Sequence, residues 1–149
     1  MTQRRTTMPE MRLELVPVPV SDVDRAKAFY EGAGFQLLVD TRVGDSMRVV
    51  QLTPPGSACT ILLGTGMPEI SDMAPGSVRG LHLVVDDLDQ VRQALTERGV
   101  EVDQATEVSQ VRYAGFRDPD GNLWLLQEFP PELRRPGQSF YRDPSAPAS

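Results

Sequence analysis

The sequence predicts an α+β fold in which two tandem βαβββ units form one domain, and three observations carry this prediction. First, the segment VSDVD at 20–24 recurs as VDDLD at 85–89, an offset of 65 residues. Second, an amphipathic stretch follows each copy and ends at a glycine, Gly34 or Gly99. Third, short apolar runs separated by turn sequences then complete each copy. Such a duplication predicts one cavity that both copies shape.

In the first copy, residues 13–20 alternate and are rich in valine, which predicts a strand. Pro17 and Pro19 lie in this strand, and because proline cannot donate to a β-ladder, we expect it at a sheet edge. Ser21 followed by Asp24 predicts the start of a helix. Three further strands are predicted at 35–42, 47–52 and 58–63.

The second copy repeats this order, with a strand at 80–85, a helix at 87–98 and strands at 100–103, 111–117 and 123–128. The last two strands form a hairpin around the turn sequence DPDGN at 118–122. If Arg117 pairs with Leu123 in this hairpin, Tyr113 lies opposite Gln127. The predicted organisation is an N-terminal extension (1–12), one domain (13–128, with units 13–64 and 79–128 and a linker 65–78) and an extended tail (129–149).

Composition narrows the classes of function. The chain has 149 residues, 40% of them apolar, and a net charge of −6. An acidic balance disfavours nucleic acid and anionic membranes as partners, because phosphates need compensating Lys and Arg. Cys59 is the only cysteine, so neither an internal disulfide nor a cysteine metal cluster is expected. No signal peptide and no apolar run of about 18 residues is evident, so we expect a cytoplasmic protein.

Two stretches, VSDVDRAKAFY at 20–30 and DPDGN at 118–122, together resemble the vicinal oxygen chelate (VOC) superfamily. It includes glyoxalase I, ring-cleaving extradiol dioxygenases, fosfomycin-resistance enzymes and bleomycin-binding proteins. The resemblance covers residues 13–128 and implies that the two units curl into a cup-shaped mixed sheet around a small-molecule site. Because many relatives are homodimers, it also implies a homodimer. It selects no single activity, since fold does not fix function.

The metal enzymes of this superfamily place a His or Glu at one position on the first strand and one on the last strand of each unit. Carried over by the two motifs, these positions are Leu15, Thr60, Gly80 and Leu125. Leucine and glycine side chains cannot coordinate a metal, and a threonine hydroxyl is a weak ligand, whereas transition-metal sites need several His or carboxylate groups. We therefore expect neither a metal nor another cofactor.

Strand alternation predicts which side chains line the cup. His82, the only histidine, is the candidate acid or base and a candidate ligand contact. The alternative interpretation is a half-buried strand histidine that a neighbour satisfies. The 65-residue offset places Arg48 where Tyr113 lies in the second copy. The predicted binding site is mainly apolar, as small-molecule pockets are, and comprises Leu15, Pro17, Arg48, Thr60, Leu62, His82, Tyr113, Leu125 and Gln127.

Three functions remain open, each with a small molecule as the partner. The first is a metal-independent binding protein similar to the bleomycin-resistance branch, which sequesters an aromatic or cationic metabolite or antibiotic. The second is a metal-free lyase, isomerase or cyclase that uses His82 as acid or base, with Tyr113 or Arg48 polarising the substrate. The third is a metal-dependent lyase or dioxygenase with displaced ligands, which would recruit His82 and Gln127.

Overall fold

The computed structural model describes residues 7–134, so the predicted tail from residue 135 onward lies outside the described residues. The first unit comprises β1 (Leu15–Pro17), α1 (Val23–Gly32), β2 (Gln36–Val43), β3 (Met47–Thr53) and β4 (Thr60–Thr65). A 3-10 helix at Ile70–Asp72 lies between the units. The second unit comprises β5 (Arg79–Val84), α2 (Leu88–Glu97), β6 (Thr106–Val108), β7 (Val111–Arg117) and β8 (Leu123–Glu128). The α+β class and the two tandem βαβββ units are confirmed.

Each unit forms a four-stranded mixed sheet, in the orders β1-β4-β3-β2 and β5-β8-β7-β6. β1 pairs in parallel with β4, β5 pairs in parallel with β8, and the other neighbours are antiparallel. β1 is a sheet edge, as its prolines predicted, and Pro17 lies opposite Leu62. This strand is shorter than the predicted 13–20, since neither Pro17 nor Pro19 has an N–H group for a ladder.

Both helices begin at an aspartate cap. The carboxylate of Asp22 accepts a hydrogen bond from the backbone N–H of Arg25, and that of Asp87 accepts one from Gln90, each at 3.0 Å. The cap is therefore Asp22 and not Ser21, because the backbone N–H and hydroxyl of Ser21 both donate to the Asp120 carboxylate. No helix within the described part of the chain is long and apolar enough to cross a membrane.

β6 lies later in the chain than predicted. Residues 100–103 form only one isolated bridge, between Val102 and Phe116. Nε of Arg92 donates to the carbonyl of Asp103 at 2.8 Å, so a side chain from α2 takes up a carbonyl that a strand would have offered to a neighbour. Regular pairing with β7 begins at Thr106.

One hydrophobic core joins the two units. α1 packs on β3 and β4, and its aromatic side chains also contact the second sheet. The ring of Tyr30 lies 5.7 Å from that of Trp124, and the ring of Phe29 lies 6.5 Å from that of Phe116. We call this side of each sheet the helix face; its buried strand residues are Val50, Leu52, Ile61, Leu63, Ala114, Phe116, Trp124 and Leu126. Trp124 is thus a core residue, with 2% of its surface exposed.

A buried polar network fastens the turn between β7 and β8 to the first unit. The Tyr30 hydroxyl donates to Oδ2 of Asp118 at 2.7 Å and accepts from Nε1 of Trp124 at 2.9 Å. Asn122 donates from Nδ2 to the carbonyl of Pro19 and to Oδ2 of Asp118, both at 2.8 Å. Burial, reinforced by the Asp118 carboxylate, raises the pKa of Tyr30 far above its ordinary value. The phenol therefore stays protonated and keeps donating.

Removing the Tyr30 hydroxyl should destabilise the protein. In Tyr30→Phe, Trp124 loses its acceptor and Asp118 loses a donor inside the core, so we expect the free energy of unfolding to fall by about 1–3 kcal/mol. Ser21→Ala is the matched control, because the Ser21 hydroxyl also donates across the units, to Asp120, but at an exposed position. Urea unfolding should show a loss below about 1 kcal/mol there; equal losses for both variants would contradict the proposed role of burial.

Candidate functional site

The second unit brings four of the predicted site residues onto one side of its sheet. Tyr113 lies opposite Gln127, and Arg117 pairs with Leu123, as the predicted hairpin register required. Because side chains alternate along a strand, these residues point away from the helix face. We call the opposite side the cup face; its residues that bear on the site are Leu15, Pro17, Gln51, Thr60, Leu62, His82, Tyr113, Leu125 and Gln127.

His82 lies on β5, directly opposite Leu125. A bulge in the ladder at Gly80, whose φ is +91°, sets this register. The first-strand position that faces Leu125 is therefore His82, two residues beyond the glycine that motif spacing indicated. Nδ1 of His82 is 2.7 Å from the carbonyl oxygen of Gly80, and the ring meets that of Tyr113 edge to face at 6.0 Å.

The side chain of His82 is exposed, which differs from the half-buried histidine of the alternative interpretation. Within residues 7–134, no carboxylate forms an ion pair or hydrogen bond with its imidazole. The site thus offers an imidazole beside a phenol.

Each unit carries a glutamine bonded to a hydroxyl on its cup face. In the second unit, Nε2 of Gln127 donates to the Tyr113 hydroxyl at 3.1 Å. In the first unit, Nε2 of Gln51 donates to Oγ1 of Thr60 at 2.7 Å. The Thr60 hydroxyl donates in turn to the carbonyl of Glu14 at 3.1 Å. Gln51 was not among the predicted site residues, because the uniform offset did not align it with Tyr113.

Arg48 does not lie on the cup face, so its predicted equivalence with Tyr113 is wrong. Leu62 of β4 and Gln127 of β8 are equivalent and keep the 65-residue offset. Their partners on the preceding strands, Gln51 and Tyr113, are only 62 residues apart. Three fewer residues separate Gln51 from Leu62 than separate Tyr113 from Gln127. Because a shift by an odd number of residues exchanges the two faces of a strand, Arg48 points to the helix face.

Arg48 instead holds the first unit together. It forms ion pairs with Asp24 of α1 at 2.8 Å and with Asp40 of β2 at 3.0 Å. Asp40 also accepts from Lys27 at 2.8 Å. The hydrogen bonds from Arg48 and Lys27 hold the pKa of Asp40 well below its ordinary value, and those to Asp40 and Asp24 raise the pKa of Arg48. Arg48 is therefore unavailable for polarising a substrate.

A cleft of about 270 Å³ lies between the edge strands β1 and β5. His82 and Thr60 border it, whereas the other predicted site residues do not. Most of its wall is apolar and includes Leu13, Val16, Leu81, Leu83 and Trp124. The duplication predicted a cavity that both copies shape, but no local pattern predicts the lining of this cleft, because packing of the two units sets the approach of the two edge strands.

Cys59 also lines this cleft and is partly exposed. Burial, together with the negative charge of Glu14, raises the pKa of its thiol. Because the thiolate is the nucleophilic form of cysteine, a raised pKa makes Cys59 a wall residue of the cleft and not a nucleophile.

The residues at the superfamily's metal positions do not fit a metal ion. The strand registers bring together Leu15 with Thr60 and His82 with Leu125. One imidazole and one weakly coordinating hydroxyl fall short of the three or four ligands that zinc and similar ions require. Across residues 7–134, no group of three or more His, Cys, Asp or Glu side chains could hold a metal.

The sequence profile of the glyoxalase/bleomycin resistance protein/dioxygenase superfamily matches residues 12–126. The chain belongs to this superfamily, as the resemblance of its two motifs implied. No curated protein matches the chain.

Solved structures of the superfamily include similar proteins. TnmS3, an antibiotic binding protein from Streptomyces sp. CB03234, is 39% identical with a TM-score of 0.72, covering 83% of this chain and 100% of TnmS3. A glyoxalase/bleomycin resistance protein from the same organism is 43% identical with a TM-score of 0.65, covering 77% of this chain and 98% of that one. A superfamily member from Sphaerobacter thermophilus DSM 20745 is 31% identical with a TM-score of 0.68, covering 80% and 98%.

Replacing Asp40 should reveal the ion pairs of Arg48 through their pH dependence. Because the pKa of Asp40 in the folded protein lies below its ordinary value of 3.8, its carboxylate contributes stability above about pH 4, and this contribution is lost as the pH falls through the folded-state pKa. Asp40→Asn should therefore lower the free energy of unfolding at pH 7 by up to about 1 kcal/mol, and by less at pH 3.

Asp45, in the turn between β2 and β3, supplies the control for this prediction, since none of its neighbours in the described part of the chain pairs with it. Asp45→Asn should leave urea unfolding midpoints unchanged at both pH values. A loss in Asp40→Asn that stays constant between pH 7 and pH 3 would refute the ion-pair explanation.

Proposed function

We propose that the chain is a cytoplasmic, metal-independent binding protein for a small aromatic molecule. The observation that carries this proposal is the composition of the site around His82. An apolar cleft and a cup face meet there, and the hydrogen-bonding groups are few. Sites that bind small molecules typically combine mostly apolar walls with a few polar groups that fix orientation.

The ligand we propose is an antibiotic or a similar metabolite. TnmS3 is an antibiotic binding protein, and the whole of TnmS3 aligns with 83% of this chain at 39% identity. The cleft volume of about 270 Å³ is near the lower end of small-molecule sites, which suits a ring system of two or three fused rings. Both the similarity to TnmS3 and the volume of the cleft support an aromatic antibiotic or a similar metabolite as the ligand.

A positive charge on the ligand would be favoured at one end of the cleft. A neighbouring depression, lined by Glu10 and Glu14, shares Leu13 and Cys59 with the cleft. Arg12 pairs with Glu10, whereas no cation among residues 7–134 pairs with Glu14. The net charge of −6 acts in the same direction. Aromatic and cationic ligands are therefore both compatible with the proposed site.

One observation favours a second candidate, a metal-free lyase, isomerase or cyclase. With Nδ1 of His82 against the carbonyl of Gly80, Nε2 is left to accept a proton from a substrate, and Tyr113 lies beside it. The binding protein is preferred because His82 lacks the carboxylate partner that commonly orients a catalytic histidine. The fate of the bound molecule distinguishes the two candidates.

The proposed function also includes a homodimer. Several valines on the strand faces that continue the cup face are exposed, among them Val43 at 53% and Val108 at 62%. β1 and β5 each have one strand edge without a partner strand in the described part of the chain. Exposed apolar residues and open strand edges are typical of surfaces that a second copy covers.

Ligand binding should be tight, stoichiometric and independent of metal. We expect native mass spectrometry, on protein purified without chelator, to show one bound molecule per chain from a panel of aromatic antibiotics, recovered unchanged after incubation. Added EDTA should not alter the affinity. Leu125→Lys should weaken binding at least about tenfold, because it replaces an apolar contact beside His82 on the cup face with a charge. Gln90→Lys, on the exposed surface of α2, is the control.

Three outcomes would count against this proposal. A stoichiometric metal adduct, or loss of binding in EDTA, would exclude metal independence. Conversion of the bound molecule into a product would favour the enzyme. Equal affinities for Leu125→Lys and the unsubstituted protein would move the site away from the cup face.

The homodimer should dissociate when a charge is added to the exposed valines. We expect light scattering after gel filtration to give twice the chain mass for the protein at micromolar concentration and a single chain mass for Val43→Glu. Arg42→Ala changes the net charge by the same amount on the opposite face of β2 and should stay dimeric. A monomer without any substitution would reject the dimer.

A further inference from the structure

Three polar groups on the cup face of the second unit are only partly used within the protein. They belong to His82, Tyr113 and Gln127, which come from three neighbouring strands. The two ring centroids lie 6.0 Å apart, and the glutamine bonds the phenol at 3.1 Å. Each of the three side chains keeps at least one hydrogen-bonding position for a ligand, and the donor or acceptor type of one such position can be assigned for each.

The contact with Gly80 fixes the tautomer of His82. A carbonyl oxygen only accepts hydrogen bonds, so the 2.7 Å contact requires a hydrogen on Nδ1. In a neutral imidazole the other nitrogen then carries a lone pair. In the neutral imidazole, Nε2 of His82 is therefore an acceptor, and it is complementary to a ligand group that donates.

The hydroxyl of Tyr113 has the opposite character. Its oxygen already accepts from Nε2 of Gln127. Within residues 7–134, no acceptor takes the hydrogen of this hydroxyl. Tyr113 therefore presents a donor, which is complementary to a ligand carbonyl.

Gln127 orients the phenol and has an unused acceptor of its own. Only 7% of this side chain is exposed, yet across the described residues no donor reaches its Oε1. A buried acceptor without a partner is unfavourable, and most such groups in folded proteins find a protein or solvent partner. In the site, Gln127 holds the phenol oxygen of Tyr113, which leaves the hydroxyl hydrogen of Tyr113 for a ligand.

The first unit does not offer the same pattern. Leu15 occupies the register position that corresponds to His82. The hydroxyl of Thr60 already accepts from Gln51 and donates to the carbonyl of Glu14. The duplication therefore leaves selective hydrogen-bonding groups on the cup face of the second unit.

We propose that His82, Tyr113 and Gln127 select an aromatic ligand that carries both a hydroxyl and a carbonyl group. The ligand hydroxyl donates to Nε2 of His82, and the ligand carbonyl accepts from the hydroxyl of Tyr113. This inference rests on the proposed binding function and names the chemistry that the site recognises.

Three two-ring probes separate the two hydrogen bonds at neutral pH. 2-Acetyl-6-hydroxynaphthalene carries both groups, 2-acetyl-6-methoxynaphthalene lacks the donor, and 2-ethyl-6-hydroxynaphthalene lacks the carbonyl. In fluorescence titrations of the full chain, we expect each loss to weaken binding about tenfold, the usual size of one net hydrogen bond in a binding site.

Two substitutions should then give a crossed pattern. In His82→Phe, methylation of the probe hydroxyl should no longer matter, while loss of the carbonyl should still cost about tenfold. In Tyr113→Phe, the opposite should hold. Thr96→Val, on α2, removes an exposed hydroxyl outside the cup face and should leave all three affinities unchanged. Misfolding cannot produce a crossed pattern, because it would weaken all probes together.

Other outcomes would overturn the inference. Equal binding of the three probes to the unsubstituted protein would remove the selection for hydroxyl and carbonyl. Absence of binding by 2-acetyl-6-hydroxynaphthalene, in protein that binds a member of the antibiotic panel, would reject the inference while the proposed binding function stands. Loss of both the antibiotic and the probes would reject the two together.

Discussion

The carboxylate of Asp118 is the constraint on which the arrangement of the two units depends. It is 5% exposed and accepts four hydrogen bonds, from the Tyr30 hydroxyl, the side chain and backbone of Asn122, and the backbone of Asp120. A buried charge is tolerated only when its acceptor positions are filled. Because Tyr30 belongs to the first unit and Asn122 to the second, satisfying this one carboxylate requires both units to be docked.

This constraint reaches the candidate site through β8. The turn at 118–122 leads directly into β8, which carries Trp124, Leu125 and Gln127. Nε1 of Trp124 donates to the Tyr30 hydroxyl. β5 pairs with this strand and carries His82. Gly76 permits the close approach of the turn, because a Cβ at that position would collide with the carbonyl of Asp120. The buried network thus positions the strands whose opposite side forms the cup face.

The two units share their architecture but not their chemistry. The spacing between paired positions of the hairpin is three residues shorter in the first unit, which places Gln51, and not Arg48, at the position of Tyr113. A bulge at Gly80 brings His82 to the position that Leu15 occupies in the first unit. Insertions and bulges of this kind exchange strand faces without disturbing the core. A metal site would need matched ligands from both units, whereas recognition of a ligand can rely on one.

The sequence by itself determined the parts of the structure that depend on local patterns. The duplicated motif predicted the two βαβββ units, and turn chemistry predicted the hairpin register that pairs Tyr113 with Gln127. The two helix starts were also evident from their acidic residues, although the cap is Asp22 and not Ser21. These features follow from contacts between residues that are close in sequence.

Tertiary structure alone decided the remainder of the site. Strand pairing decides three features that a constant 65-residue repeat does not predict. They are the 62-residue offset of β3, the bulge at Gly80 and the isolated bridge at Val102. The cleft between β1 and β5 exists because the buried bonds of Asp118 fix the distance between the two sheets. Side chains near in space but remote in sequence create these features, and their energies depend on packing that no single segment contains.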